Sequence, residues 1–98
     1  MNAERKEAHI EKFSARLDQV QAKIDLLKAR AREADADTRI RLKKEIDDIK
    51  ERRADLEKRV DELKTAGSDA WEDIRNGLDA GWQALSRALD KATSRFDT

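Results

Sequence analysis

The chain has 98 residues, of which 45% are charged and 4% aromatic, with 22 basic and 22 acidic side chains and no net charge. That balance removes a global pull toward nucleic acid or anionic lipid, and the mixture is too polar for a thick globular core. The absence of cysteine excludes disulfides, thiolate metal sites and cysteine nucleophiles. With no proline and three glycines, little interrupts a helix, and the abundance of Ala, Glu, Lys, Leu and Arg suits long helices. The alternative for so charged a chain is disorder.

At the amino end, Met1–Ala3 should fray, and Asn2 is a possible cap for a helix starting near Ala3. Residues 1–11 lack an apolar stretch, so they do not form a signal peptide, and no segment has the length of a membrane span. The default location is the cytoplasm. His9, the one histidine, has no second metal ligand nearby and reads as a solvated side chain beside the helix seam.

Apolar residues then recur at Ile10, Phe13, Leu17, Val20, Ile24 and Leu27, in alternating steps of three and four. This is the a/d seam of a heptad repeat, and it makes a helix that must lie against other helices. Ala31, Ala34 and Thr38 carry the seam on with small side chains, and it resumes at Leu42, Ile46, Ile49, Leu56, Val60 and Leu63. Arg53 occupies one seam position, where its stem can lie on the seam and its head reach water.

The stretch 29–38 reads in two ways. Asp35, Asp37 or Thr38 can cap a new helix, which makes a hairpin. Against it, the stretch has no Gly, Pro or Asn, and no Glu or Gln at the capping-box position. Asp35 with Arg39 and Asp37 with Arg41 are acid-before-base pairs that support continuous helix. Continuity is the favoured reading. The seam then steps by eight residues from 38 to 46, a stutter that would locally unwind a supercoil. The basic cluster Arg39, Arg41, Lys43 and Lys44 is diluted by Glu45, Asp47 and Asp48, and reads as a solvated face rather than a nucleic-acid site.

Residues 65–68 are the best break. Gly67 suits a left-handed position after a helix end, and Ser68 or Asp69 can cap the next helix, Asp69 with Glu72 at capping-box spacing. The final segment places Trp71, Ile74, Leu78, Trp82, Leu85, Leu89, Ala92 and Phe96 on one face. Gly77 and Gly81 each weaken this helix by about 1 kcal/mol relative to alanine, and together make a notch for a neighbouring helix.

The residues Ser68-Asp-Ala-Trp-Glu-Asp-Ile-Arg-Asn-Gly77 and Gly81-Trp82-Gln-Ala-Leu85, with Glu33-Ala-Asp-Ala and Asp61-Glu-Leu-Lys64 before them, are not generic coiled coil. Over most of its length the chain resembles a family of small bacterial coiled-coil proteins labelled stress-response proteins, which has no established biochemical activity. Gly81 departs from the alanine expected before the second tryptophan, and Asn76 is also atypical. The resemblance implies a non-catalytic role under stress, and no site residues.

The resulting expectation is an all-α fold. Residues 1–66 form a long coiled-coil helix and residues 67–98 a Trp-containing amphipathic helix, joined into a helical bundle by homo-oligomerisation. The oligomer is required because the second helix covers less than half of a first helix about 90 Å long. The rival is a hairpin near Ala34–Thr38, giving a monomeric three-helix bundle. The packing residues are Phe13, Leu17, Val20, Ile24, Leu27, Ile46, Ile49, Leu56, Val60, Leu63, Trp71, Ile74, Leu78, Trp82, Leu85 and Leu89. Nothing in the sequence supports an enzyme, a catalytic residue, a metal, a cofactor or a small-molecule substrate.

Three functions follow. The first is a self-associating scaffold that binds itself or another helical protein. The second is a membrane-surface protein anchored by the last helix. The third is a solvating stress protectant, partly unfolded alone. The first is preferred. Residues 68–98 carry six acids against four bases, which an anionic bilayer repels.

Overall fold

A computed structural model describes residues 3–94 as three helices in succession: α1 (Ala3–Glu33), α2 (Ala36–Thr65) and α3 (Ser68–Ser94). They run up, down and up. The fold is all-α, but the long helix expected over residues 1–66 is broken in two. The molecule measures 51 × 19 × 18 Å, far short of the roughly 90 Å that a single helix of that length would span. The hairpin, the less favoured reading of residues 29–38, is what forms. Asn2 and Phe96, and the expected fraying beyond Ser94, lie outside the described residues.

The break needs neither glycine nor proline, because the side chains of Asp35 and Arg39 satisfy the two helix ends. Asp35 is extended (φ −64°, ψ 167°), and its carboxylate accepts the Thr38 backbone N–H at 2.8 Å. This N-cap removes one orphan donor from the start of α2. Hydrogen bonds from the Thr38 side chain and backbone, helped by the charge of Arg41, hold the Asp35 carboxyl below the usual carboxylate range. Arg39 then reaches back across the turn. Its Nε donates to the Ala31 carbonyl at 3.3 Å, and its Nη2 donates to those of Arg32 at 3.1 Å and Ala34 at 3.2 Å. The carbonyls left over at the end of α1 are thereby paired with a cation, which the negative end of the helix dipole also favours. The eight-residue step in the seam marks this turn rather than a stutter in one helix.

The second turn differs from its expected chemistry. Ala66 is extended (φ −73°, ψ 140°), and among the described residues none, glycine included, has a positive φ. Gly67 is therefore not left-handed. Its carbonyl accepts the Trp71 N–H at 2.9 Å, so Gly67 stands at the N-cap, and Ser68 and Asp69 are already inside the helix. Lys6 Nζ donates to the Ala66 carbonyl at 2.8 Å and ties this turn to α1.

One contiguous core runs the length of the bundle. Phe13, Leu17, Val20, Ile24, Leu27, Ala31, Leu42, Ile46, Ile49, Leu56, Val60, Leu63, Trp71, Leu78, Leu85, Leu89 and Ala92 are buried, and Ile10, Ile74 and Trp82 pack on it half-buried. The seam is thus covered within one chain, and the geometric reason for oligomerisation no longer applies. Arg53, 20% exposed, lies on the seam with its Nε on the Leu17 carbonyl at 3.0 Å and its Nη1 on Glu57 at 2.9 Å. Its head is bound to α1 rather than free in water. Asp48 and Arg52, four apart on α2, meet at 2.9 Å on the exposed surface, an interaction worth a few tenths of a kcal/mol.

Candidate functional site

α3 presents different residues to its two neighbours. Toward α2 it offers Gly77 and Gly81, and a methyl group placed on Gly81 would come within 2.6 Å of Leu56 Cδ2. Toward α1 it offers the tryptophans. The ring of His9 meets that of Trp71 edge-on, with centroids 5.4 Å apart and planes at 65°. The Arg16 guanidinium lies 5.2 Å from the Trp82 ring and 5.7 Å from that of Phe13. Trp71 is only 2% exposed and Trp82 is half-buried, so both rings belong to the bundle. His9 is half-buried against Trp71 rather than solvated. A concavity of about 320 Å³ beside Trp71 is lined by Arg5, Lys6, Ser68, Glu72 and Arg75.

The opposite end of the molecule holds a second concavity, on the back of the α1–α2 hairpin near its turn. Ala31 and Ile46 form its floor, Lys28 and Arg32 one wall, and Lys43 and Lys50 the other, with a volume of about 330 Å³. The position follows from the helix period. On α2, Leu56 and Arg59 reach Gly81 and Gly77 of α3. Lys43, Ile46 and Lys50 fall about 140° round the helix from that flank, so they look away from α3. Ala31 is the seam residue in the middle of this groove. A larger side chain would have filled it.

The wall of the groove is electrostatically loaded. The neighbouring Lys50 ammonium pushes the Lys28 amine below the usual lysine range. Ile40 is 58% exposed, and by helical spacing it lies on the same side of α2 as Lys43 and Asp47. Leu26, 53% exposed, is the other large apolar side chain left in solvent among the described residues.

The sequence-expected packing residues all lie in or on the core, and the structure brings the tryptophans to α1. The groove was missed because the seam was read as uninterrupted. The signal was present in the coincidence of a small seam residue, Ala31, with the flanking Lys43 and Lys50 spaced seven apart. Among the described residues, no His, Asp and Glu side chains gather to hold a metal ion, and no helix is long and apolar enough to cross a membrane.

These features define an up-down-up three-helix bundle with a cationic groove on one hairpin face. No protein-family model, curated protein or solved structure matches the chain.

Proposed function

We propose that this chain is a non-catalytic helical interaction protein whose docking face is the back of the α1–α2 hairpin near its turn. The observation that carries this reading is the groove floored by Ala31 and Ile46. There the two core residues Ala31 and Ile46 line a concavity between cationic side chains, and exposed Ile40 lies on the same side of α2. Binding there takes the form that α3 already shows on the other flank, with one more helix laid against a helix pair. Self-association belongs to this proposal as the case in which the partner is a second copy, no longer driven by an uncovered seam. A cytoplasmic setting and a role in bacterial stress belong to it as well, the latter through the family resemblance alone, whose most specific part is the stretch Asp69-Ala-Trp-Glu72. The membrane-surface alternative loses its anchor while Trp71 and Trp82 stay packed on α1.

The test is selection of displayed helical peptides of mixed charge on the 98-residue chain, with counter-selection on Ala31→Leu. Leucine at 31 adds bulk at the floor of the groove. Peptides that bind the native chain and not the variant support the reading. Binders indifferent to the substitution, or none at all, would defeat it.

A further inference from the structure

We infer that the groove of Lys28, Arg32, Lys43 and Lys50 over Ala31 and Ile46 receives an acidic amphipathic helix from a different protein, its apolar side chain on the floor and its carboxylates on the two lysine walls. This rests on the docking face proposed above and specifies the partner's chemistry.

Charge is the first argument. Lys28, Arg32, Arg39, Lys43 and Lys50 surround the groove, with Asp47 the single acid among its lining residues. The chain as a whole is neutral, so this concentration of cations is local. Arg39 is committed to the turn carbonyls and lends only its field. Lys28 of α1 and Lys50 of α2 lie beside one another, and the Lys50 ammonium holds the Lys28 amine below the usual lysine range. A carboxylate bound beside adjacent ammonium groups favours their charged forms, which is the electrostatic complement this lining offers.

Spacing and shape come next. Lys28 and Arg32 are four apart on α1, and Lys43 and Lys50 are seven apart on α2, so each wall is a row along its helix. Rows of this kind match Glu or Asp at three-, four- and seven-residue steps on both sides of an apolar stripe. Nucleic acid would satisfy the lysines but leave the aliphatic floor unused, and no aromatic side chain lines the groove to stack a base.

A second copy fits poorly. Groove against groove would set cationic walls face to face. The outer face of α3 carries acids, but among the described residues only Leu26 and Ile40 are large, apolar and exposed, and neither is on α3. Among its described residues α3 has no large exposed apolar side chain to place on the floor.

The experiment uses the ¹⁵N-labelled 98-residue chain and three synthetic helical peptides. One has a leucine stripe flanked by glutamates, one has lysines in place of the glutamates, and one is a scramble of the first. The glutamate peptide should shift the amide signals of Lys28, Ala31, Ile46 and Lys50, and weaken as salt is raised. Lys28→Glu should reduce its affinity by about tenfold or more, since one substitution both removes an attraction and adds a repulsion. The same variant should melt no lower than the native chain, because Glu beside Lys50 replaces like charges with opposite ones. Lost binding in a stable variant is therefore not a folding defect. Equal binding of the lysine peptide, shifts centred on Trp71 and Trp82, or unchanged affinity in Lys28→Glu would each overturn the inference. So would equally strong shifts at the same amides from phosphatidylglycerol vesicles or duplex DNA. If groove-dependent peptides emerge from the display selection but carry no acidic bias, the docking face stands and the partner chemistry is wrong.

Discussion

The two sides of α3 solve the same packing problem in opposite ways. Against α2 the side chains at the interface are pared to hydrogen, and Gly81 lets the helix sit directly over Leu56. Against α1 they are the largest available, and His9 and Arg16 meet Trp71 and Trp82 across a gap that the backbones do not close. Close approach gives dense contact of short range. Bulky rings give a wider separation, with more area buried per residue. The difference teaches that one amphipathic helix can dock at two distances, provided that small and large residues fall on different flanks of its apolar face.

Removing the ring side should do the most damage. Trp71→Ala should cost about 3–5 kcal/mol in chemical denaturation, as expected for a fully buried large side chain. Trp82→Ala should cost less, because half-buried Trp82 already meets water and Arg16. Equal losses at the two positions would show that their environments are not distinct.

Filling the glycine side should separate its two members. Alanine at either position gains about 1 kcal/mol of helix propensity. At Gly81 the new methyl meets Leu56, which is itself buried, and overpacking of that kind costs about 1–3 kcal/mol, so Gly81→Ala should lower stability by about 1 kcal/mol. At Gly77 the obstacle is the end of the exposed Arg59 side chain, which can swing aside. Gly77→Ala should therefore raise the melting temperature. A rise for both would mean that α3 does not approach α2 as closely as described.

The smallest effects lie at the turn, far from either flank. Arg39→Ala removes three hydrogen bonds to carbonyls near the surface, of which that of Ala31 keeps the Ala34 N–H, and should cost about 1 kcal/mol, with the loss unchanged in a Trp71→Ala background. The Asp35 cap gives a pH signature. Its carboxyl is depressed in the folded chain, so its contribution is complete above the unfolded aspartate value of about 3.9 and disappears as pH falls through the lower folded value. Thermal melts of the native chain and of Asp35→Asn should thus differ at neutral pH and converge in acid. Persistent separation in acid would assign the cap to geometry rather than charge.

Much of this was legible in the sequence. The heptad steps from Ile10 to Leu63 and the face from Trp71 to Leu89 specify the core almost residue by residue, because burial follows the helix period. The first turn was not legible, because the usual signals are glycine and proline. Here the work is divided between Asp35 and Arg39, whose spacing also fits an ordinary helical ion pair. Only the side-chain direction distinguishes these uses. The groove was hidden by the same ambiguity, since it exists only once α2 folds back on α1.

Arg39 also bears on the order of events in folding. Its three carbonyl partners lie within eight residues of it, so the clamp closes a short loop at little entropic cost. Trp71, by contrast, finds His9 across more than half the chain. Local closures of the first kind form early, and distant ring contacts form late. Arg39→Ala should therefore slow refolding, whereas Trp71→Phe should chiefly hasten unfolding. Because Trp71 and Trp82 both sit on α3, indole fluorescence reads its docking specifically, leaving circular dichroism to follow the hairpin that precedes it.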